Sequence, residues 1–409
     1  MFRYLLRFTS LILLALLSVA CQSAVPTSTP VAIAPPTTVP ATTRPTTAPA
    51  TVAAATSTAA LATSAPAAAT TAATDTPIPP TETLAPGQSE LILVTHDAFA
   101  ASDDVINAFE QANNVRVRIL KSGDAGAALN KEILAGPTNP LGDAFFGVDN
   151  TFLSRALKAN IFDSYKPAGI DAIPAPFKLD SQFRLTPTDY GDVCLNYDKG
   201  WFTQNKIALP KTLEDLTQPA YKSLLVVENP ATSSPGLAFL LATIAHFGPD
   251  KYIDYWKGLR ANDVAVSDSW DDAFNAQFTL SGKGDRPIVV SYGTDPAAEV
   301  FFSNGKYTEP PNGVVLGDQT CFRQIEFIGV LKGAKHPDLA RKFIDYMVSV
   351  HFQEDIPGQM FVYPVNPAAK LPDWFKFAVQ SPNPARITPD QIDASREKWI
   401  TAWTQAVLR

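Results

Sequence analysis

The side chains that carry most metal and redox chemistry are scarce in this chain. Its 409 residues hold three cysteines, four histidines and three methionines. The histidines (His96, His246, His336 and His351) have no metal-ligand spacing among themselves. No HExxH, CxxC, GxSxG or phosphate-loop pattern occurs. This leaves no zinc site, no hydrolase triad and no cofactor to infer. Positive charge is also short: 33 Lys and Arg against 40 Asp and Glu give a net charge of −7. An acidic surface argues against nucleic acid and anionic membrane surfaces as partners and is compatible with a cationic ligand.

What is present begins with an export signal. Arg3 and Arg7 form a positive start, residues 11–17 form an apolar run too short to span a bilayer, and Ser18 and Ala20 lead into Cys21. The run LSVAC resembles the bacterial lipobox, with Ser18 where Leu is usual. That resemblance implies acylation of Cys21 after cleavage, dividing the chain at residues 1–21. An ordinary secretory signal and an uncleaved anchor are the alternatives, and all three export the rest. Residues 22–87 are dominated by Ala, Thr, Pro and Ser, with Arg44, Asp75 and Glu82 as their only charges. Such a segment buries too little apolar surface to offset its ordering entropy, so it is expected to be a disordered tether. The signal carries two positive charges and the tether a net −1, leaving −8 on the core. With Cys21 assigned, Cys194 and Cys321 remain in an oxidising compartment, which suggests one disulfide.

The core, from residue 88 onward, alternates strand and helix patterns. Strands are predicted at 90–95, 115–120, 144–148, 191–197, 224–227, 288–292 and 322–331. Helices are predicted at 103–112, 125–135, 235–246, 270–278, 337–350 and 389–408. The alternation predicts an α/β fold with parallel sheets and helices on both faces. Ligands of such folds sit at the carboxyl ends of strands. The loops there are 96–100, 149–150, 229–236 and 292–296, rich in Asp, Ser, Thr and aromatic residues, which suits a small polar ligand with a ring.

Those same loops resemble the thiamine-binding periplasmic proteins, members of the type II solute-binding proteins of ABC importers. The collinear runs are THDAFA, GVDNT, DYGDVCLNYDK, NPATSSPGLAFLLA, SDSWDDAF, VVSYGTDPA and YPVNP, followed by the closing SREKWITAWTQAVLR. The resemblance implies two α/β lobes joined by two crossing hinge strands, with a ligand cleft between them. Lobe 1 would take 88–192 and about 322–409, lobe 2 about 193–321. A Cys194–Cys321 disulfide would join the crossing strands. The implied partners are a thiamine-like small molecule, ABC permease subunits and, through the acylated cysteine, a lipid bilayer. The implied place is outside the cytoplasm, in the periplasm or at the cell surface.

Candidate binding residues follow from the resemblance and the loop chemistry. Trp270, Tyr292 and Phe361 offer rings to a thiazolium cation, the first two holding it between them. Asp149 and Asp295 offer charge, with helix capping as the alternative for Asp149. Ser233, Ser234 and Gly236 begin a helix whose free amides and hydroxyls suit an anion or an alcohol, and Thr294 repeats that logic. His96, Asp97 and Asn150 complete the set. His96 and Ala298 stand where the family has tyrosine, Phe361 where it has tryptophan, and Asp295 where it has a neutral residue. A carboxylate at 295 favours free thiamine, or a related cationic heterocycle, over its phosphates. Binding of ferric ion or a polyamine, and a thiaminase-like enzyme using Cys194, are the rival readings.

Overall fold

The computed structural model describes residue 84, residues 87–281 and residues 284–409. The signal, Cys21 and almost all of the tether lie outside the described residues. Among the described residues no helix is long and apolar enough to cross a membrane.

The first series runs β1 (Ser89–Thr95), α1 (Asp103–Asn113), β2 (Val115–Lys121), α2 (Ala125–Ala135), β3 (Ala144–Asp149), α3 (Leu153–Lys158) and β4 (Phe162–Asp163). Local chemistry sets its boundaries. The Ser102 hydroxyl accepts from the Val105 N–H to start α1, and Asn114 ends it in the left-handed conformation. Every residue of β3, AFFGVD, is buried, as expected of a strand covered on both faces.

A second series follows: β5 (Thr186–Asp198), α4 (Lys199–Asn205), β6 (Leu225–Glu228), α5 (Ser234–Phe247), α6 (Tyr252–Ala261), β7 (Ala265–Ser267), β8 (Ile288–Tyr292), α7 (Asp295–Phe302) and β9 (Asn312–Val315). The first eleven residues of α5 are all buried, so it is a central helix rather than an amphipathic surface one. The chain closes with β10 (Phe322–Leu331), α8 (Pro337–Met347), α9 (Val350–Gln359), β11 (Tyr363–Pro364) and α10 (Pro389–Val407). A capping box between Thr388 and Gln391 starts α10, with Pro389 just inside it. Trp403 of α10 meets Trp256 of α6 edge to face, with centroids 5.5 Å apart.

One mixed sheet runs β2-β1-β3-β10-β5-β8-β6-β7, with β4 on β10 and with β9 and β11 on β5. The wings are parallel, as the alternation predicts: β1 with β2 and β3, and β6 with β7 and β8. The centre departs from that expectation. β10 runs antiparallel to β3 and to β5, and β5 runs antiparallel to β8. Physically, β5 and β10 enter without a crossover helix. Only short 3-10 turns (Ile170–Ala172 and Ala175–Phe177) precede β5, and a six-residue loop, 316–321, leads from β9 into β10.

The thirteen-residue β5 changes partner midway. Its first part pairs with β10 and its second with β8, and Val193 faces Phe322 on one side and Tyr292 on the other. At that changeover Cys194 and Cys321 form a disulfide, with Cα atoms 4.3 Å apart. Cys321 lies one residue before β10. Two helices differ from the sequence reading. The stretch 337–350 divides into α8 and α9 around Val348 and Ser349, and the stretch after Trp270 is wound as a π-helix over Asp272–Gln277.

Candidate functional site

The carboxyl ends of the parallel strands converge on one cavity of about 410 Å³, within the range of small-molecule sites. His96 and Asp97 reach it from β1, Asp124 from β2, Ser234 from β6, and Ser269 and Trp270 from β7. Tyr292 and Asp295 come from the end of β8, Gln324 and Glu326 from β10, and Phe361 from the turn before β11.

The charge of its lining is one-sided. Asp97, Asp124, Asp271, Asp295, Glu299 and Glu326 all line the cavity, and among the described residues His96 is the sole basic side chain that does. Burial raises the pKa of Asp295 to about 8, and the nearby Glu299 charge adds to the rise. Hydrogen bonds from Ser291 and the Tyr292 N–H oppose it; the Tyr292 N–H donates to Asp295 Oδ2 at 3.1 Å. Burial likewise raises Asp124, although its carboxylate accepts from the N–H groups of Trp270 (2.9 Å) and Ala125 (2.6 Å). Glu299 is raised by burial and then by Asp198. Behind the lining, Glu228 is fully buried with both carboxylate oxygens unpartnered among the described residues. Burial first, then the Asp124 charge, holds it well above the usual carboxylate range. Asp189 faces Glu326 across β5 and β10, and burial followed by the Glu326 charge lifts it strongly too.

His96 answers this field. Burial alone would lower its pKa, but Glu326, Asp124 and Asp97 together outweigh that and hold it above its ordinary value. Its Nε2 lies 3.2 Å from Glu326 Oε1, at ion-pair distance without the alignment of a hydrogen bond. The ring fits because position 147 is glycine: a Cβ there would lie 2.4 Å from His96 Cδ2, and φ is +105°.

The aromatic walls are arranged differently from a slot. Trp270 stacks on Phe274 at 5.1 Å and 17°, but meets Tyr292 at 65° with centroids 6.4 Å apart. Trp270 and Tyr292 therefore form two sides of a corner rather than parallel walls. Both rings are anchored. Trp270 Nε1 donates to Ser291 Oγ at 2.9 Å and the Tyr292 hydroxyl to Gln324 Oε1 at 3.1 Å. Phe361 also lines the cavity, at φ 55°, a left-handed conformation costing on the order of 1 kcal/mol for a residue with a side chain.

The structure places His96, Asp97, Ser234, Trp270, Tyr292, Asp295 and Phe361 of the sequence-predicted residues on this cavity, and Ala298 beside them. The other five stand behind it. Asp149 is fully buried, and its Oδ1 accepts from Thr151 Oγ1 (2.7 Å), Thr151 N–H (3.0 Å) and Phe152 N–H (3.1 Å), while Ser234 Oγ donates to Oδ2. Asp149 therefore holds the turn that leads into α3 rather than capping the helix, whose N-cap position is Phe152 with no side-chain cap bond, and its pKa is raised by burial to about 6. Asn150 extends the β3–β10 pairing, donating to Arg323 O and accepting from the Ile325 N–H, each at 3.0 Å. Ser233 is the residue before α5 and makes no side-chain cap bond. Thr294 is buried before α7. Gly236 is required by packing, since a Cβ there would lie 2.5 Å from Glu228 O.

Sequence reasoning missed Asp124, Glu299, Glu326 and Gln324. Asp124 has a signal: it follows β2, at the carboxyl end of a strand. Glu326 lies mid-strand among apolar residues, and only the antiparallel register of β10 reveals where it faces.

Residues 139–383 match a family model described as bacterial extracellular solute-binding protein. The thiamine-binding periplasmic protein of Salmonella typhimurium is 31% identical over 324 residues, covering 78% of this chain and 94% of that protein. That of Escherichia coli is 30% identical over the same shares. A solved structure titled periplasmic thiamin binding protein superposes with a TM-score of 0.70 at 29% identity, covering 78% of this chain and 96% of the other. The architecture is the two-lobed type II periplasmic-binding-protein fold, with two crossing strands and a cleft between the lobes.

Proposed function

Because the chain belongs to the bacterial extracellular solute-binding family, in the branch of the thiamine-binding periplasmic proteins, we propose that it captures free thiamine, or a closely related cationic heterocycle, and passes it to an ABC permease. The observation that carries this reading is the cavity lining. Six acidic side chains, with His96 the sole basic side chain among the described lining residues, favour a permanent cation, which stabilises their charged forms, over a phosphate, which does not. Trp270, Phe274, Tyr292 and Phe361 supply apolar walls and negative ring faces, worth about 0.5–2 kcal/mol each to a cation they face. Asp124 and Asp295 are the charges we assign to the ligand. His96 and Asp97 complete the polar wall of the first lobe, and Ser234 that of the second.

A titration of the purified protein with thiamine, a neutral aminopyrimidine and spermidine tests this reading. Thiamine is expected to bind tightest and the neutral ring at least about tenfold more weakly, the loss expected of one charge-assisted contact. Tighter binding of spermidine would identify a polyamine site, and no binding of thiamine would remove the assignment.

The remaining parts of the proposal concern organisation. The lobe boundaries proposed are 88–192 with about 322–409, and about 193–321. Within that scheme α10 packs on α6 as well as on α3 and so touches both lobes. Acylation of Cys21 would hold the domain at a membrane through the 22–87 tether. Labelling with a fatty-acid analogue tests this: Cys21→Ser is expected to abolish incorporation, and unchanged incorporation would exclude Cys21 as the acylated residue.

A further inference from the structure

Four aromatic rings meet at the mouth of the cavity. Phe302 lines the cavity and is nevertheless 64% exposed, so it stands at the opening, with its neighbour Phe301 42% exposed. Both lie at the end of α7, on the side that contributes Tyr292 and Asp295. Phe361 and Trp374 come from the arm after α9, Trp374 within the short 3-10 turn Asp373–Phe377 that packs against α7.

The rings are in mutual contact. Phe302 meets Phe361 at 4.8 Å, Phe301 meets Trp374 at 4.8 Å, Phe301 meets Phe361 at 5.4 Å and Phe361 meets Trp374 at 5.5 Å, all tilted. These spacings lie in the attractive range for aromatic pairs. Phe361 reaches its partners from a left-handed backbone conformation that a bulky side chain rarely takes. Two large apolar rings more than a third exposed contribute little to a core, and their contacts run across the opening rather than along one element.

We infer that Phe301, Phe302, Phe361 and Trp374 form an aromatic clasp across the cavity mouth that sets the rate of ligand release. The inference rests on the proposed cationic ligand. Phe302 and Phe361 bound the exit directly, while Phe301 and Trp374 are positioning residues that hold them together. A ligand leaving the cavity must first separate these ring pairs. On this inference the ring pairs part to admit a ligand and tighten over it once bound, so the barrier they add falls chiefly on the way out. The clasp therefore acts on dissociation far more than on capture.

A radiolabelled-thiamine chase on the full chain tests this, using Phe302→Ala, the double variant Phe301→Ala with Phe302→Ala, and Phe302→Tyr. Losing three of these four ring contacts is expected to speed release roughly tenfold or more in the double variant. The association rate should stay within about threefold of wild type, and Phe302→Tyr should restore slow release. Melting of the ligand-free protein, followed alongside, should fall only modestly, because both rings lie largely at the surface. Release at the wild-type rate would overturn the clasp, as would weakened binding that arises only from slower association. Wild-type protein that binds no thiamine would overturn the ligand reading, and the clasp with it.

Discussion

Asp295 lies where three influences meet. Burial and the Glu299 charge push its pKa up to about 8, the Tyr292 N–H and Ser291 stabilise its charged form, and the cavity it faces carries further carboxylates. Its ordinary value is 3.8. Between those values the folded, ligand-free protein keeps a proton that the unfolded chain has released. Its contribution to stability is therefore full below pH 3.8 and is lost as pH rises through about 8. A permanently charged ligand favours the carboxylate and so expels that proton. Thiamine affinity is expected to rise with pH towards about 8 and then level off, with proton release visible when calorimetric heats are compared in buffers of different protonation enthalpy. Affinity independent of pH between about 6 and 9 would contradict the role given to Asp295. Asp295→Asn keeps an acceptor for the Tyr292 N–H while removing the charge. It should lower thiamine affinity roughly 10- to 100-fold and leave the ligand-free melting temperature unchanged or raised, the exchange of stability for function usual at binding sites. Asp149→Asn should behave differently. Its oxygens cap the 151–152 turn and accept from Ser234, so the change is expected to cost about 1–3 kcal/mol of stability, weakening charged and neutral ligands alike. From the sequence, Asp149 and Asp295 look equivalent, an acid just after an apolar strand. Only the bonding of each oxygen and its place on or behind the cavity separates a turn support from a ligand charge.

At the scale of elements, strand β5 decides most of the architecture. Its β10 half and its β8 half belong to different wings, and the Cys194–Cys321 bond lies where the partners change. The bridge closes a separation of 127 residues, so its removal through Cys194→Ala with Cys321→Ala should cost about 3–5 kcal/mol, measured by denaturant unfolding; unchanged stability would mean the register of β5 and β10 holds without it. Cys194 faces Ser291, and Ser291 accepts from Trp270 Nε1, so the double variant should also loosen the aromatic corner and lower affinity. The strands and helices of the wings were readable because each has a clean period, β3 as a buried run and α1 as an amphipathic turn pattern. The antiparallel centre was less so. Periodicity shows that 191–197 and 322–331 are strands but carries no direction, and direction here comes from the absence of crossover helices before β5 and β10. The corner between Trp270 and Tyr292 was illegible for a related reason: sequence names the rings but not the 65° between them. At the head of α5, Gly236→Ala would force a Cβ to 2.5 Å from Glu228 O and should displace Ser234, lowering both melting temperature and affinity.

At the scale of the whole molecule, the described core holds every residue assigned to the ligand. A fragment beginning near Gln88 is therefore expected to bind thiamine with the affinity of the full chain, and a folded fragment that has lost affinity would give the tether a part in binding. The acidic balance of the core, visible in composition as −8 after the terminal segments are set aside, becomes specific only in the fold. There the carboxyl ends of four parallel strands and one face of β10 bring acids from distant positions onto a single cavity. The central claim is that this cavity selects an unphosphorylated cation by charge. Calorimetric titration of the full chain with thiamine and with thiamine pyrophosphate at neutral pH tests it most directly. The account predicts that thiamine binds at least about tenfold more tightly than the pyrophosphate; equal or tighter binding of the pyrophosphate would contradict it.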